Sequence, residues 1–227
     1  MQEAEARQKL VAAALPHVAF DGWTAATFRA AVADSGVTPA LAVALFPRGG
    51  TDLALAYHAA GDAAMVAALA AEDLSALRFR DRIARAVLIR LSLADREAVR
   101  RGTTLFALPH LAADGARALW STADAIWTAL GDSADDVNWY TKRATLSAVY
   151  GATVLFWLGD DSPDQQATRD FLDRRIEGVM RFEKLKADTA ANPLGKVLLA
   201  GPMALLGRIR PPGPRDGLPG RRAPRPF

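Results

Sequence analysis

The chain has 227 residues, enough for one large domain or two small ones with a buried core. It is 51% hydrophobic and 7% aromatic, and about a fifth of it is alanine, the strongest helix former, so we expect an all-α fold. The absence of cysteine excludes disulfides, iron–sulfur clusters and thiolate zinc sites.

The net charge of +3 is unevenly distributed along the chain. Residues 208–227 contain six arginines and one aspartate, so this tail carries about +5 and the remainder about −2. Prolines and glycines predict a disordered tail over residues 211–227. Residues 1–9 are charged and lack the apolar core of a signal peptide, which favours a cytoplasmic location.

Residues 1–50 are predicted to form a unit of three helices. The first covers residues 3–18 and is expected to end at Pro16 and the aromatic loop after it. Thr24 is a suitable N-cap for the second, and Thr38, followed by proline, begins a short third helix after a tight glycine turn. Two short helices joined in this way indicate a helix-turn-helix.

Residues 51–190 are predicted to form a larger helical bundle. Apolar periodicity, caps and breakers place its helices at residues 52–72, 78–96, 98–109, 114–130, 138–158 and 162–186. The 138–158 segment is apolar on nearly every face, which predicts a central helix buried on all sides. The last helix is expected to begin at a capping box formed by residues 162–165 (SPDQ).

Residues 191–210 are predicted to form an amphipathic helix that associates with a membrane. Apolar residues 194–207, interrupted by Pro202, are followed at once by arginines, a combination that suits an anionic lipid interface. The alternative is a final helix packed on the body of the protein. The predicted membrane-binding residues are Leu194, Lys196, Val197, Leu198, Leu199, Met203, Leu205, Leu206, Arg208 and Arg210.

No motif in the sequence indicates catalysis, metal binding or a cofactor. The three histidines lack the partners of a Glu-x-x-His or HExxH site. Neither a phosphate-binding glycine loop nor a GxSxG serine occurs. The carboxylate pairs at 135–136 and 160–161 lie at predicted helix ends, where acids favour the next N-terminus. We therefore expect a binding protein without a cofactor, and not an enzyme.

The helix-turn-helix is poorly equipped to bind DNA. The charges between Asp21 and Gly50 cancel, although phosphate contacts require a positive surplus. Within residues 37–46, Thr38 alone could reach a base edge. No nucleic-acid partner is expected.

Several segments resemble known families. Residues 23–53 resemble the helix-turn-helix of TetR-type regulators, without their tyrosines and basic residues. A more specific resemblance, over residues 10–186, is to the accessory proteins of ubiquinone biosynthesis, the family of the ninth-named coenzyme Q protein. It is carried by residues 15–23 (LPHVAFDGW), 107–110 (ALPH), 122–127 (TADAIW), 138–146 (NWYTKRATL), 161–164 (DSPD) and 171–175 (FLDRR).

This resemblance implies a TetR-like homodimer that no longer binds DNA. It implies that an isoprenoid quinone intermediate or a phospholipid occupies the pocket where regulators hold effectors. The lipid would be presented to the demethoxyubiquinone hydroxylase at the inner face of a bacterial membrane. The residues expected to contact that hydroxylase are Trp139, Tyr140, Lys142 and Arg143. For the two aromatic residues, the alternative is packing into the interior.

We expect the lipid pocket on facing apolar stripes of the long helices. Burying on the order of several hundred Å² of a polyprenyl tail, at roughly 25 cal/mol per Å², would let such a pocket compete with the bilayer. The expected lining residues are Leu88, Leu91, Phe106, Trp127, Leu146, Val149, Tyr150, Thr153 and Phe156, with an ordinary core as the alternative. The alternative functions are a ligand-responsive TetR-type regulator and an enzyme acting on a quinone precursor.

Overall fold

The computed structural model describes residues 3–132 and 137–191. Within these ranges all regular structure is helical, which confirms the predicted all-α class. The helices are α1 (Glu3–Asp21), α2 (Ala25–Ser35), α3 (Pro39–Leu45), α4 (Gly50–Ala71), α5 (Phe79–Ser92), α6 (Arg96–Phe106), α7 (Ala112–Ala129), α8 (Val137–Trp157) and α9 (Gln166–Ala191). The predicted membrane segment and basic tail, residues 192–227, lie outside the described residues.

The first three helices form the predicted helix-turn-helix unit. The Thr24 hydroxyl accepts a hydrogen bond from the Thr27 amide at 3.3 Å, as an N-cap does. Gly36 ends α2 in the left-handed conformation, with φ of +67°. The Thr38 hydroxyl then caps α3 by accepting from the Leu41 amide at 3.4 Å. Both predicted N-caps are confirmed.

The first helix does not end at Pro16, as its sequence suggested, but continues to Asp21. Proline removes one backbone donor, and the turns on either side stay helical because they are anchored in the core. Ala14 and Val18 are fully or almost fully buried against the neighbouring helices. Gly22, with φ of +66°, ends the helix instead.

The predicted capping box before α9 is also wrong in detail. Asp164 and Gln165 adopt positive φ angles in a 3₁₀ turn, and α9 begins one residue later. The Gln165 side-chain oxygen accepts from Trp157 Nε1 at 3.0 Å, so it is not available to cap a backbone amide. Ser162 and Thr168 instead donate hydrogen bonds to Asp160, and they hold the pKa of that carboxyl well below its usual range.

Two hydrophobic cores organise the described helices. One contains α1 to α3, and the other lies among α5, α7, α8 and α9. Helix α4 joins them, because Leu53 is buried in the first core and Met65 in the second. By length and composition α4 is also the one helix in the described part of the chain that could cross a membrane. Trp23 ties α6 to the first core by donating from Nε1 to the Ala98 carbonyl at 2.9 Å.

Helix α8 is not buried on all sides, although its sequence predicted that. Leu146, Tyr150 and Trp157 are buried, but the Leu155 side is open and that residue is 64% exposed. The uncharged face of α8 suggested complete burial. In the structure this face borders a cavity, and Ala148 is one of the residues that line it. The absence of charge therefore reflects an apolar space beside the helix as well as a packed core.

Candidate functional site

An open cavity of about 500 Å³ lies among α4, α6, α7 and α8, where the two cores meet. Its volume is within the range of roughly 300–1,000 Å³ that small-molecule sites occupy. Ten of its 22 lining residues are alanine or glycine. These residues are Ala54, Ala98, Gly102, Ala107, Ala112, Gly115, Ala116, Ala118, Ala148 and Gly151.

The space exists because small residues hold these helices close together without filling the gap between them. A Cβ atom at Gly115 would lie 2.8 Å from Cβ of Phe106, so α6 and α7 can approach only with glycine there. At Gly151 a Cβ would lie 3.2 Å from Leu119 Cδ1, so glycine at this position lets α8 pack closely against α7. Short alanine side chains then leave the interior of the cavity unoccupied.

One end of the cavity is polar and buried, and the other is apolar and exposed. Tyr57, His58, Arg90 and Tyr150 form the polar end, where Arg90 is 2% and Tyr150 3% exposed. The other end is bordered by exposed alanines of α7 and α8 and by Leu155. We call these the deep end and the mouth of the cavity.

A buried network of hydrogen bonds lies behind the deep end. Arg90 donates from Nε to Asp62 Oδ1 at 2.8 Å and from Nη2 to the His58 carbonyl at 3.0 Å. The Thr122 hydroxyl donates to the same Asp62 oxygen at 2.9 Å and lies 2.8 Å from His58 Nε2. Gly61 leaves room for this network, because a Cβ there would lie 2.5 Å from Cζ of Arg90.

The deep end carries no net charge. His58 Nε2 lies 3.0 Å from the Ala118 carbonyl, which can only accept, so we assign the ring proton to Nε2. Burial lowers the pKa of His58, although the charge of Asp62 opposes this, and the imidazole is neutral at neutral pH. Burial also raises the pKa of Tyr150 to about 12. Arg90 is the one charged side chain among the described lining residues, and Asp62 compensates it.

The predicted lipid-binding residues do not lie at one site. Phe106 and Tyr150 line the cavity described above. Trp127, Leu146 and Val149 line a second cavity, of about 470 Å³, among α5, α7, α8 and α9. The remaining residues line neither cavity: Leu88, Leu91, Thr153 and Phe156. Leu91 and Thr153 are buried, and Phe156 stacks on Phe171 with ring centroids 4.4 Å apart.

The second cavity is an apolar groove with a basic rim. Its apolar lining includes Phe79, whose ring centroid lies 5.5 Å from that of Trp127. Its three cations all pair with neighbouring acids. Arg78 and Arg80 pair with Asp81 at 2.7 and 3.4 Å, and Lys142 pairs with Asp132 at 2.8 Å.

No sequence motif pointed to the polar residues of the deep end. The histidine spacings tested only whether His58 could be a metal ligand, and no motif indicated Tyr57, Asp62 or Arg90. A usable signal was present, since His58 and Asp62 stand four residues apart in a helix otherwise rich in alanine and leucine. Polar side chains at i and i+4 lie on one helix face, and such a face within an apolar helix indicates a buried polar contact.

The predicted partner-binding aromatics form a half-buried cluster between α7 and α8. The Trp139 and Tyr140 rings meet edge to face at 4.8 Å, and both lie near Trp120, at 6.0 and 6.3 Å. All three are partly exposed. The structure thus places the pair between full exposure and full burial. We call these three residues the aromatic cluster.

Arg143 supports this cluster from inside the protein. Its side chain is 3% exposed and pairs with Asp124 at 2.5 Å and Asp132 at 2.9 Å. Its guanidinium lies 4.0 Å from the centroid of the Trp139 ring, within the range of a cation–π contact. Lys142 points to the rim of the second cavity, where its Nζ lies 5.2 Å from the Trp127 ring centroid.

The fold class follows from comparison of the helical arrangement with solved structures. The chain is similar to a TetR transcriptional regulator from Nitrosomonas europaea ATCC 19718, with a TM-score of 0.61 and 21% sequence identity, over 75% of this chain and 95% of that one. The predicted TetR-like fold is confirmed.

The family comparison is more specific. Residues 112–183 match the COQ9 family model. The chain is 29% identical to human ubiquinone biosynthesis protein COQ9, mitochondrial, over 189 residues, which are 79% of this chain and 59% of that protein. A Xenopus tropicalis protein of the same name is 30% identical, over 78% of this chain and 59% of that protein. A probable ubiquinone biosynthesis protein coq9, mitochondrial, of Dictyostelium discoideum is 28% identical, over 81% of this chain and 62% of that protein. The predicted resemblance to this family is confirmed. The chain spans about three fifths of the length of these relatives.

We expect the loss of one partner of the buried Arg90–Asp62 pair to destabilise the protein more than the loss of both. Arg90→Met leaves Asp62 charged and unpaired in the interior, which should lower the free energy of unfolding by roughly 3–5 kcal/mol. Arg90→Met combined with Asp62→Leu removes both charges and should cost less than the single change. Urea unfolding measures both values. A double variant at least as unstable as Arg90→Met would contradict this account of the pair.

Proposed function

We propose that the protein is a non-catalytic accessory protein of ubiquinone biosynthesis that binds an isoprenoid lipid in the cavity among α4, α6, α7 and α8. It presents quinone intermediates to the demethoxyubiquinone hydroxylase at a membrane surface, and it acts as a homodimer. The observation that carries the proposal is an open, apolar cavity in a chain similar to proteins named for ubiquinone biosynthesis.

The cavity suits an apolar chain because its lining offers almost no unsatisfied polar group outside the deep end. The Thr103 hydroxyl donates to the Arg100 carbonyl at 2.7 Å, and the Ser147 hydroxyl to the Arg143 carbonyl at 2.8 Å. Both are therefore occupied within their own helices. Burial of apolar surface there yields roughly 25 cal/mol per Å². A lipid so poorly soluble must enter by contact with a membrane, not by diffusion through water.

The regulator alternative is weakened by the surface of the helix-turn-helix. The exposed residues of α3 are Pro39, Ala40, Val43 and Ala44. None of their side chains can donate to a base edge or a phosphate. Arg48, which follows α3, is already paired with Asp52 and Asp114 at 2.8 and 2.7 Å.

The enzyme alternative receives no support from the described residues. No group of three or more His, Cys, Asp and Glu side chains in the described ranges could hold a metal ion. In the cavity, the Nε2 proton of His58 is engaged by the Ala118 carbonyl and the Thr122 hydroxyl. We therefore propose a carrier that hands its lipid to a separate catalyst.

Lipid occupancy tests the cavity. Ala148→Phe places a ring in the space beside α8, and we expect it to reduce the prenyl lipid that co-purifies with the protein several-fold. Mass spectrometry of an organic extract, normalised to protein, measures this. Ala144→Phe is the matched control, because Ala144 is exposed on the same helix and lines neither cavity. Equal lipid content in the two variants would count against the cavity as the lipid site.

The hydroxylase contact is proposed at the aromatic cluster. Partly exposed aromatic rings are typical anchors of protein interfaces, and Arg143 holds the Trp139 ring in place from below.

We expect Trp139→Lys to abolish co-purification of the hydroxylase while the chain stays folded, since it replaces an anchoring ring with a solvated charge. Pull-down from cells expressing both proteins, with circular dichroism of the variant, measures the effect. Phe20→Lys serves as the control, because Phe20 is an aromatic residue 86% exposed on α1 and remote from the cluster in sequence. Undiminished co-purification with Trp139→Lys would refute the assignment.

Membrane association is proposed for residues 194–210 from their sequence, with the arginines of the tail attracted to anionic lipid. Binding to phosphatidylglycerol vesicles should weaken in steps, first when residues 211–227 are removed and further when residues 194–227 are removed. Vesicle co-sedimentation of the three chains at low and high salt separates the electrostatic part from the apolar part. Full binding by the chain lacking residues 194–227 would exclude this segment as the membrane contact.

A further inference from the structure

We propose that residues 194–207 of this chain dock into the second cavity, the apolar groove among α5, α7, α8 and α9, when no membrane is present. The apolar segment then has two alternative places, the groove and the membrane surface. The docked state does not depend on the proposed function, whereas its release at a membrane rests on the proposed membrane association of residues 194–210.

The groove is elongated along α8. Its lining residues on this helix recur at three- and four-residue spacing and so form one stripe: Asn138, Thr141, Lys142, Thr145, Leu146 and Val149. At 1.5 Å per residue this stripe is about 16 Å long. Ile176, Val179 and Met180 of α9 line the groove beside it. A groove of this length between two helices fits a further segment that lies alongside them.

Part of the apolar lining of the groove is uncovered in the described part of the chain. Phe79 is 45% exposed and Met180 is 55% exposed, and both line the groove. Exposed apolar side chains that border a common groove are typical of a surface that contacts another apolar segment. The groove therefore requires an occupant, and the chain itself supplies one.

The position of α9 brings residues 194–207 within reach. Met180 lies eleven residues before the end of α9 at Ala191, a distance of about 16 Å along the helix. Residues 192–193 (Asn-Pro) follow, and a residue before proline is disfavoured in the helical conformation, which favours a turn there. After such a turn, about twelve helical residues lead back to the level of Met180 and bring Leu205 beside it.

The composition of the segment suits an apolar groove. Residues 194–207 contain one charged side chain, that of Lys196, and the arginines begin at Arg208, beyond the docked part. Pro202 interrupts the segment. A proline does not prevent a helix in this protein, since α1 continues through Pro16 where the neighbouring residues are buried.

Docking would also couple the membrane to the aromatic cluster. Asn138 and Thr141 line the groove and flank Trp139 and Tyr140 in sequence. Release of residues 194–207 to a membrane would uncover this side of α8, next to the proposed hydroxylase contact. The protein would then present that surface where its lipid is available.

Cross-linking tests the docked state, because the chain contains no cysteine and two can be introduced without background. We expect Met180→Cys with Leu205→Cys to react with a short bismaleimide at least about fivefold faster than the control pair Ala144→Cys with Leu205→Cys. Ala144 is exposed on α8 and lines neither cavity. Denaturing gels and mass spectrometry of the cross-linked peptides distinguish bonds within one chain from bonds between two.

Phosphatidylglycerol vesicles should slow this cross-link, because the segment then occupies the membrane. Equal rates for the two cysteine pairs, or cross-links between chains alone, would overturn docking within the chain and leave the membrane proposal intact. A fast cross-link that vesicles do not slow would instead support docking and count against release at a membrane.

Competition between the two places gives a second test. Met180→Asn weakens the docked state without adding charge, so it should raise the affinity of the full-length chain for phosphatidylglycerol vesicles about two- to threefold. Val43→Asn is the matched control, since Val43 is 56% exposed on α3 and lines neither cavity. Vesicle co-sedimentation measures both. Equal affinities of the two variants would overturn the competition.

Discussion

The ion pair between Arg90 and Asp62 links α5 to α4 at the point where the two hydrophobic cores meet. It is almost completely buried; a hydroxyl from α7 also donates to Asp62, and a backbone carbonyl of α4 also accepts from Arg90. Buried pairs of this kind seldom add net stability over an apolar replacement, but they permit few alternative arrangements. In this protein the pair fixes the relative position of three helices and closes the cavity at one end with groups that sum to zero charge.

The remaining walls depend on the opposite property, the absence of side-chain bulk. Glycines 115 and 151 let neighbouring helices approach, and alanines between them keep the enclosed space free. The TetR-like fold of this chain thus contains a cavity with largely apolar walls, and the exposed residues of α3 in its helix-turn-helix are Pro39, Ala40, Val43 and Ala44.

Local features of the sequence were sufficient for much of the fold. The caps at Thr24 and Thr38 act within one helical turn, so the sequence predicted them correctly. Pro16 led to a wrong prediction of where α1 ends, because burial of Val18 outweighs the loss of one backbone hydrogen bond.

The site was harder to predict. Helical periodicity identified the apolar positions of α8, but Val149 and Tyr150, adjacent in sequence, line different cavities. Whether a face meets packed side chains or empty space depends on residues from other helices. The pairing of Asp62 with Arg90 likewise joins positions 28 residues apart.

Gly61 shows how tightly this arrangement constrains change. The guanidinium of Arg90 occupies the volume that any side chain at position 61 would take, with Cζ only 2.5 Å from where a Cβ would lie. A methyl group at position 61 and an arginine at position 90 are mutually exclusive in this geometry. The two positions are therefore coupled: a side chain at position 61 would force the guanidinium of Arg90 to move away from its present place beside Asp62.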